Sequence, residues 1–250
     1  MSGTAGSGAA WFLTMGGEAE WEPEAENWLR WARTPGHDPY WYYRDSFFDL
    51  IVPAAGRRTL EIGCGEGRVA RDLAARGHRV AAVDTALSVL RYAQQEDLTG
   101  AYIGAESRAL PFPDRCFDLV VAYNSLQVVD DMAATVCEAG RVLDRGGALC
   151  ACVAHPVTDL GHFSGNDANR RFVMRRHYFD TRRVEDTVLL DGLTMTFRGW
   201  THSLEHYALA LQQAGFHIEA MREPLPTNAA ERYERWRGVP LFLHFRAIKS

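Results

Sequence analysis

The stretch "TLEIGCGEG" at residues 59–67 sets glycines at 63, 65 and 67 among the carboxylates Glu61 and Glu66. A backbone this bare beside an acid suits one of two tasks, cradling a phosphate or holding a nucleoside-bearing cofactor. A Walker A loop is excluded, because no Gly-Lys-Ser/Thr follows. A dinucleotide-binding turn is written G-x-G-x-x-G, and here the third glycine comes one residue early. Asp84 stands 21 residues beyond Gly63. A carboxylate ending the next strand there accepts hydrogen bonds from ribose hydroxyls and repels a 2′-phosphate.

These residues need elements to hold them. "RTLEIGC" is a short apolar strand, and "EGRVARDLAARG" a helix stopped at Gly77. "HRVAAVD" and "AYIGAE" are further strands flanking the helix "ALSVLRYAQQ", and "FDLVVAYN" is a fourth strand. Met132, Val136, Ala139 and Leu143 mark a helical apolar stripe, followed after Gly146-Gly147 by the fifth strand "GALCACVAH". Leu204, Tyr207, Ala208 and Leu211 repeat at helical spacing up to Gly215, and "HIEAMREP" and "VPLFLHFRAI" read as closing strands. Alternating strands and helices with continuous apolar strands predict an α/β fold. Its sheet would be mostly parallel and seven-stranded, Rossmann-like, with helices on both faces.

Three segments lie outside this alternation. Residues 1–20 are small and Gly-rich, expected to be a flexible N-terminus. Residues 21–55 concentrate aromatic side chains in two short helices around Pro35-Gly36, expected to form an N-terminal helical lid. Residues 156–200, within a main domain spanning 56–250, are polar, rich in Arg and His, and expected to be an irregular substrate cap.

Composition narrows the class. A net charge of −5 over 250 residues argues against a nucleic-acid surface, which needs a dense basic face. Lys249 is the only lysine, so Schiff-base chemistry has almost no residue to use, and the bias toward arginine points to a GC-rich bacterial genome. The five cysteines form no C-x-x-C pair, so reduced thiols in a cytoplasmic protein are expected, without disulfides or a zinc site. The N-terminus has no signal-peptide pattern and no apolar run approaches the ~20 residues of a membrane span, so no membrane partner is expected. His162, His177, Asp159 and Asp167 share one segment but lack ligand spacing, so no metal is expected. Nothing in the sequence sets an oligomeric state.

Glu61-x-Gly63-x-Gly65-x-Gly67, then Asp84, then "AESRALPFPDRCFDLVVAYNSLQVV", resembles the class I S-adenosylmethionine-dependent methyltransferases. The likeness is to their small-molecule, type 11-like branch, whose helper motif runs acid-Ala-x-x-Leu-Pro-Phe-x-Asp-x-x-Phe-Asp. "EAGRVLDRGGALCACVAHP" extends it, so that it covers residues 58–156 and, more weakly, "LEHYALALQQAGFHIEAMREP". The chain departs at Glu106, where the family usually has Asp, followed by Ser107. The resemblance implies S-adenosylmethionine as cofactor and S-adenosylhomocysteine as product. It implies that the backbone at Gly63, Gly65 and Gly67 passes under the methionine portion, with Glu61 beside it and any side chain at those glycines intruding on the cofactor. It also implies Asp84 and Thr85 at the ribose, Glu106 and Ser107 at the adenine, and Asn124 lining the cleft by the sulfonium.

Methyl transfer from a sulfonium is an in-line displacement with an activated leaving group, so holding the nucleophile in line and dry matters most. A base is needed only for a hydroxyl or a protonated amine. His155, ending the fifth strand, is the candidate general base. Substrate positioning and a structural role in the following loop stand beside it as alternatives. Tyr40 and Tyr43 would wall an aromatic acceptor or simply pack, and His206 would face the acceptor or solvent. The leading expectation is methylation of a nitrogen or oxygen of a small molecule in natural-product, for example antibiotic, biosynthesis. The alternatives are C-methylation of a quinone-like or aromatic substrate and a non-catalytic cofactor-binding protein. "AYNSLQ" lacks the Asn/Asp-Pro-Pro-Tyr segment of nucleic-acid methylation.

Overall fold

The computed structural model describes residues 21–165, 170–227 and 231–250. The predicted flexible N-terminus (1–20) and Asp167 lie outside them. Five strands, β1 (Arg58–Ile62), β2 (Arg79–Asp84), β3 (Ala101–Gly104), β4 (Phe117–Tyr123) and β5 (Leu143–Ala154), run parallel. The pair β10 (Phe216–Arg222) and β11 (Phe242–Lys249) completes a seven-stranded sheet in the order β10-β11-β5-β4-β1-β2-β3, in which β11 alone runs opposite to the other strands. The strand order reverses between β1 and β4. At such a switch point the two following connections diverge to opposite sides and leave a crevice at the carboxyl ends of the strands.

Both faces of the sheet are covered, which is why Leu119–Tyr123 of β4 and Ala148–Ala154 of β5 read as apolar runs. Leu60, Ile62, Val120, Ala122, Leu149 and Ala151 point to one face. They pack under Val136 and Ala139 of helix α5 (Met132–Val142) and Tyr207 and Leu211 of helix α6 (Leu204–Gln213). Their neighbours Leu119, Val121, Cys150 and Cys152 point to the other face. There they meet Tyr43, Phe47 and Phe48 of α2 (Tyr40–Leu50) and Val69 and Leu73 of α3 (Arg68–Ala75). This alternation is the period of two that a strand imposes. All five cysteines are free.

The two N-terminal helices do different work. α2 lies in the core against the sheet, whereas α1 (Ala25–Arg33) runs over the crevice. α1 is tied to α4 (Leu87–Glu96) by the stacking of Arg33 on Tyr92 at 4.8 Å.

The expectation of an irregular segment at 156–200 is corrected. A single 3-10 turn (Thr158–Leu160) is followed by two antiparallel hairpins, β6 (Gly161–Ser164) with β7 (Arg171–Met174), and β8 (Arg183–Leu190) with β9 (Leu193–Trp200). The second hairpin turns at Asp191-Gly192, both in the left-handed region (φ 48° and 79°). That geometry matches the right-handed twist of the strands and favours an Asp-Gly pair. The hairpin docks on the main domain where Trp200 N–H donates to the Gln127 carbonyl at 2.7 Å. A Cβ on Gly199 would lie 2.7 Å from that same carbonyl, so the close approach needs a glycine.

Candidate active site

A cavity of about 900 Å³ fills the crevice. Its inner end is the loop from β1 to α3, represented by Glu61, Gly63, Gly65, Glu66 and Arg68. Gly63 and Gly67 both have positive φ (72° and 81°), but a Cβ at either would strike protein. At Gly63 it would meet the Ser125 Cβ at 2.5 Å, and at Gly67 the Tyr102 ring at 2.9 Å. Gly67 does not line the cavity. At both positions the protein itself already excludes a side chain. The glycines let the loop turn and pack close, and the open backbone follows from that. Gly65 faces the Trp28 indole of α1 across the loop, at 3.1 Å from an added Cβ.

Asp84 lines the cavity at the end of β2 and accepts from Gly65 N–H at 2.7 Å and Ala86 N–H at 3.0 Å. It thus fastens the glycine loop to the next connection, in addition to presenting a carboxylate to the crevice. Burial pushes its carboxyl above the usual range, against the pull of these backbone donors. Glu61 is fully buried, its Oε2 has no partner, and burial together with the nearby Glu66 and Asp84 holds its carboxyl well above the usual range. Arg68, also buried, donates to Asp38 at 3.1 Å and stacks on Tyr40 at 4.4 Å, while its Nη1 is without a partner. A buried acceptor and a buried donor left open at one loop are costly unless a ligand completes them.

The remaining predicted cofactor residues lie along the same cavity. Thr85, Glu106, Ser107 and Asn124 all line it. Glu106 is half-exposed and engaged by Arg108 Nε at 2.6 Å. Ser107 Oγ meets Thr135 Oγ1 at 2.8 Å. Asn124 leaves β4 at φ 55°, an uncommon conformation for a residue with a side chain, and its Oδ1 faces Gln127 Nε2 at 3.4 Å. Strain of this kind clusters at functional sites.

The acceptor-side expectations fare differently. Tyr40 and Tyr43 are fully buried in the core beneath the sheet and do not line the cavity. Tyr40 donates to Asp72 Oδ2 at 2.5 Å, and Tyr43 stands edge-on to Phe242 at 5.0 Å. Both are packing residues. His206 also faces away, completing the capping box of α6 with Ser203. His155 is buried and does not line the cavity. Nδ1 accepts from Val157 N–H at 3.2 Å, and Nε2 meets Glu223 Oε1 at 2.9 Å. Its imidazole holds the loop after β5, so the structural alternative replaces the general base.

Residues the sequence reading passed over build the outer half of the cavity. Trp28 and Trp31 come from α1, Phe163 and Phe172 from the first hairpin, and Val184, Asp186, Val188 and Leu190 from alternate positions of β8. Phe197 and Trp200 of β9 and Trp236 beyond helix α7 (Glu231–Glu234) close it. Trp31 stands edge-on to Phe197 at 5.6 Å, and Arg198 pairs with Glu24 at 3.3 Å, joining α1 to the second hairpin. The Asp191-Gly192 pair between two β-rich runs, and the period of two in "VEDTVLL", are the signals that would have revealed this hairpin. Among the described residues no cluster suited to a metal ion occurs, and no helix is long and apolar enough to cross a membrane.

Comparison with known proteins agrees with this geometry. Residues 60–151 match the family model Methyltransferase domain (Methyltransf_11). The demethylmenaquinone methyltransferase of Tropheryma whipplei is 27% identical over 72% of this chain and 73% of its own length. The malonyl-[acyl-carrier protein] O-methyltransferase of Pseudescherichia vulneris is 33% identical over 40% of this chain and 42% of its own. The crystal structure of an S-adenosylmethionine-dependent methyltransferase from Mesorhizobium loti superposes with a TM-score of 0.68 at 23% identity, covering 85% of this chain and 98% of that one. The glycine loop, the acid ending β2, the strand order and the matched model together place a class I S-adenosylmethionine-dependent methyltransferase domain over residues 60–151, with S-adenosylmethionine as its cofactor.

Proposed function

We propose that the enzyme transfers the methyl group to a nitrogen or oxygen of a small molecule with an aromatic or apolar frame. The observation that carries this is the cavity itself. The cofactor loop and a chamber walled by Phe163, Phe172, Trp200 and Trp236 form one continuous space under α1 and the hairpins. Such a space excludes water from the reacting groups and holds one bulky apolar acceptor in line, which is most of what methyl transfer from a sulfonium requires. An acceptor the size of a natural product, as in antibiotic tailoring, suits about 900 Å³ shared with the cofactor better than a compact metabolite does.

The cofactor's chemistry is an electrophilic methyl group on a positive sulfur. In our reading the Arg68 Nη1 donor meets its carboxylate, Glu61 the cationic end of its methionine portion, and Asp84 with Thr85 its ribose. Glu106 and Ser107 border the adenine, and Asn124 and Gln127 flank the reacting end. A bacterial cytoplasm suits five free thiols, and the negative net charge disfavours a nucleic-acid partner.

The test is incorporation of label from methyl-labelled S-adenosylmethionine into pools of aromatic amines, phenols and alcohols, with RNA and protein as counter-substrates. Labelled small molecules are expected. Label entering only RNA or protein would overturn the reading. A second reading, C-methylation of a quinol, is favoured by the resemblance to the demethylmenaquinone enzyme over 72% of the chain. A reduced 1,4-naphthoquinone in the same screen would become the labelled product if that reading holds.

A further inference from the structure

We propose that the acceptor group is an amine, and that Asp159 is the catalytic residue that receives its ammonium and takes its proton. This rests on the small-molecule reading above and names the acceptor class for that site. Asp159 sits in the 3-10 turn just beyond β5, at the carboxyl edge of the sheet, and lines the chamber.

Asp159 is one of the cavity carboxylates, with Glu61 and Asp186, that no hydrogen bond among the described residues takes up. Asp38 and Glu66 are held by Arg68 and Arg71, Asp84 by backbone donors, and Glu106 by Arg108. Among the described residues, the Asp159 carboxylate has neither a hydrogen bond nor an ion pair. Arg182 and Arg176 lie near enough to favour its charged form, and Arg182 Nη2 donates to the Asp159 main-chain carbonyl at 2.9 Å. A carboxylate left open in an apolar chamber costs free energy until a cation or donor reaches it.

The surroundings specify which. Asp186 projects from β8 into the same chamber, so two carboxylates face one space. The walls are Phe163, Phe172, Trp200 and Trp236, and ring faces beside a carboxylate form a recognised receptor for organic cations. Two of these rings already bind one: the Arg235 guanidinium lies 5.6 Å from the centroids of both Phe163 and Trp236. Burial raises the Asp159 carboxyl above its usual range against the pull of Arg182 and Arg176, with Asp186 adding to the rise, and this makes it a stronger proton acceptor. The bound ammonium gives one proton to Asp159, and the freed nitrogen lone pair forms the new N–C bond. The donor C–S bond breaks as its electron pair stays on sulfur, and the Asp159 proton then leaves to water.

The test compares two probes that share a frame and differ at the reacting atom. 2-Phenylethylamine and 2-phenylethanol are titrated calorimetrically into the full-length protein saturated with S-adenosylhomocysteine at neutral pH. The amine is expected to bind about tenfold or more tightly than the alcohol, and Asp159→Asn to reduce that preference to about threefold or less. The variant's unchanged affinity for S-adenosylhomocysteine reports that it has folded. Equal affinity for the two probes, a preference that survives in Asp159→Asn, or no binding of either probe overturns the assignment. Failure of S-adenosylhomocysteine itself to bind would instead sink the methyl-transfer reading of the site.

Discussion

Replacing Asp84 with asparagine tests the double role assigned to that carboxylate. In the native chain its two oxygens take the Gly65 N–H at 2.7 Å and the Ala86 N–H at 3.0 Å. The Asp84→Asn side chain would keep one carbonyl acceptor and turn an NH2 donor toward the other N–H. A hydrogen bond to a charged acceptor contributes about 1.5–3 kcal/mol against about 1 for a neutral one, so the loop loses roughly 2–3 kcal/mol. Part of this is offset, because burial already raises the Asp84 carboxyl and the neutral amide escapes that cost. The net loss for the cofactor-free protein is therefore about 1–2 kcal/mol, or about 2–8 °C in Tm for a chain of this size. The cofactor loses in addition a charge-assisted bond at the ribose, about 1–3 kcal/mol, so the Kd for S-adenosylhomocysteine should rise about 5- to 150-fold. Thermal melts and isothermal titration read the two effects separately. An unchanged Kd would refute the ribose contact. An unchanged Tm with a raised Kd would refute the claim that Asp84 braces the glycine loop.

Three further outcomes are expected. Gly63→Ala forces a Cβ against the Ser125 Cβ at 2.5 Å in a residue with φ 72°, and should cost about 2–4 kcal/mol in denaturant unfolding. A cost below about 1 kcal/mol would mean that the loop relaxes freely. Glu61→Gln should stabilise the cofactor-free protein at alkaline pH. The native Glu61 carboxyl is raised well above its unfolded value, so the folded state holds its proton longer, and wild-type stability falls as pH rises from the unfolded value through the folded one. The variant's advantage should vanish below that window, and an advantage that persists in acid would contradict the buried-charge account. His155→Ala should lower stability by about 1–3 kcal/mol, through the lost Val157 and Glu223 contacts, with kcat/KM changed less than about threefold. A roughly hundredfold loss of turnover at unchanged S-adenosylhomocysteine affinity would restore it as a base.

The glycine-loop half of the cavity was legible because its geometry is local. Gly63, Gly65 and Gly67 sit within a single strand-to-helix turn, and each has the positive φ that glycine adopts at little cost. Asp84 follows as the last residue of the adjacent strand, and Asn124 as the first beyond β4, so strand ends alone brought them to one edge. Local pattern also located every strand of the main sheet, and the central strands β4 and β5, buried on both faces, read as apolar runs. It could not say which way a side chain at a strand end turns. His155 looked like a base by position, but the backbone after β5 curls so that Val157 N–H reaches its Nδ1. Tyr40 and Tyr43 looked like an acceptor wall, but α2 rotates that face toward Leu119, Val121 and Cys152.

The fold and the sheet edge that carries the cavity could thus be read before any coordinates, because each depends on residues within one turn or one strand, and the motifs there carried the resemblance that implies the cofactor. The acceptor chamber could not. Trp28, Asp159, Asp186, Trp200 and Trp236 come from separate segments, and they converge only because α1 and the second hairpin pack across the crevice through Trp31, Phe197, Glu24 and Arg198. Spacing along a chain carries no information about such contacts, since apolar burial and ion pairing depend on distance in space and are indifferent to separation in sequence.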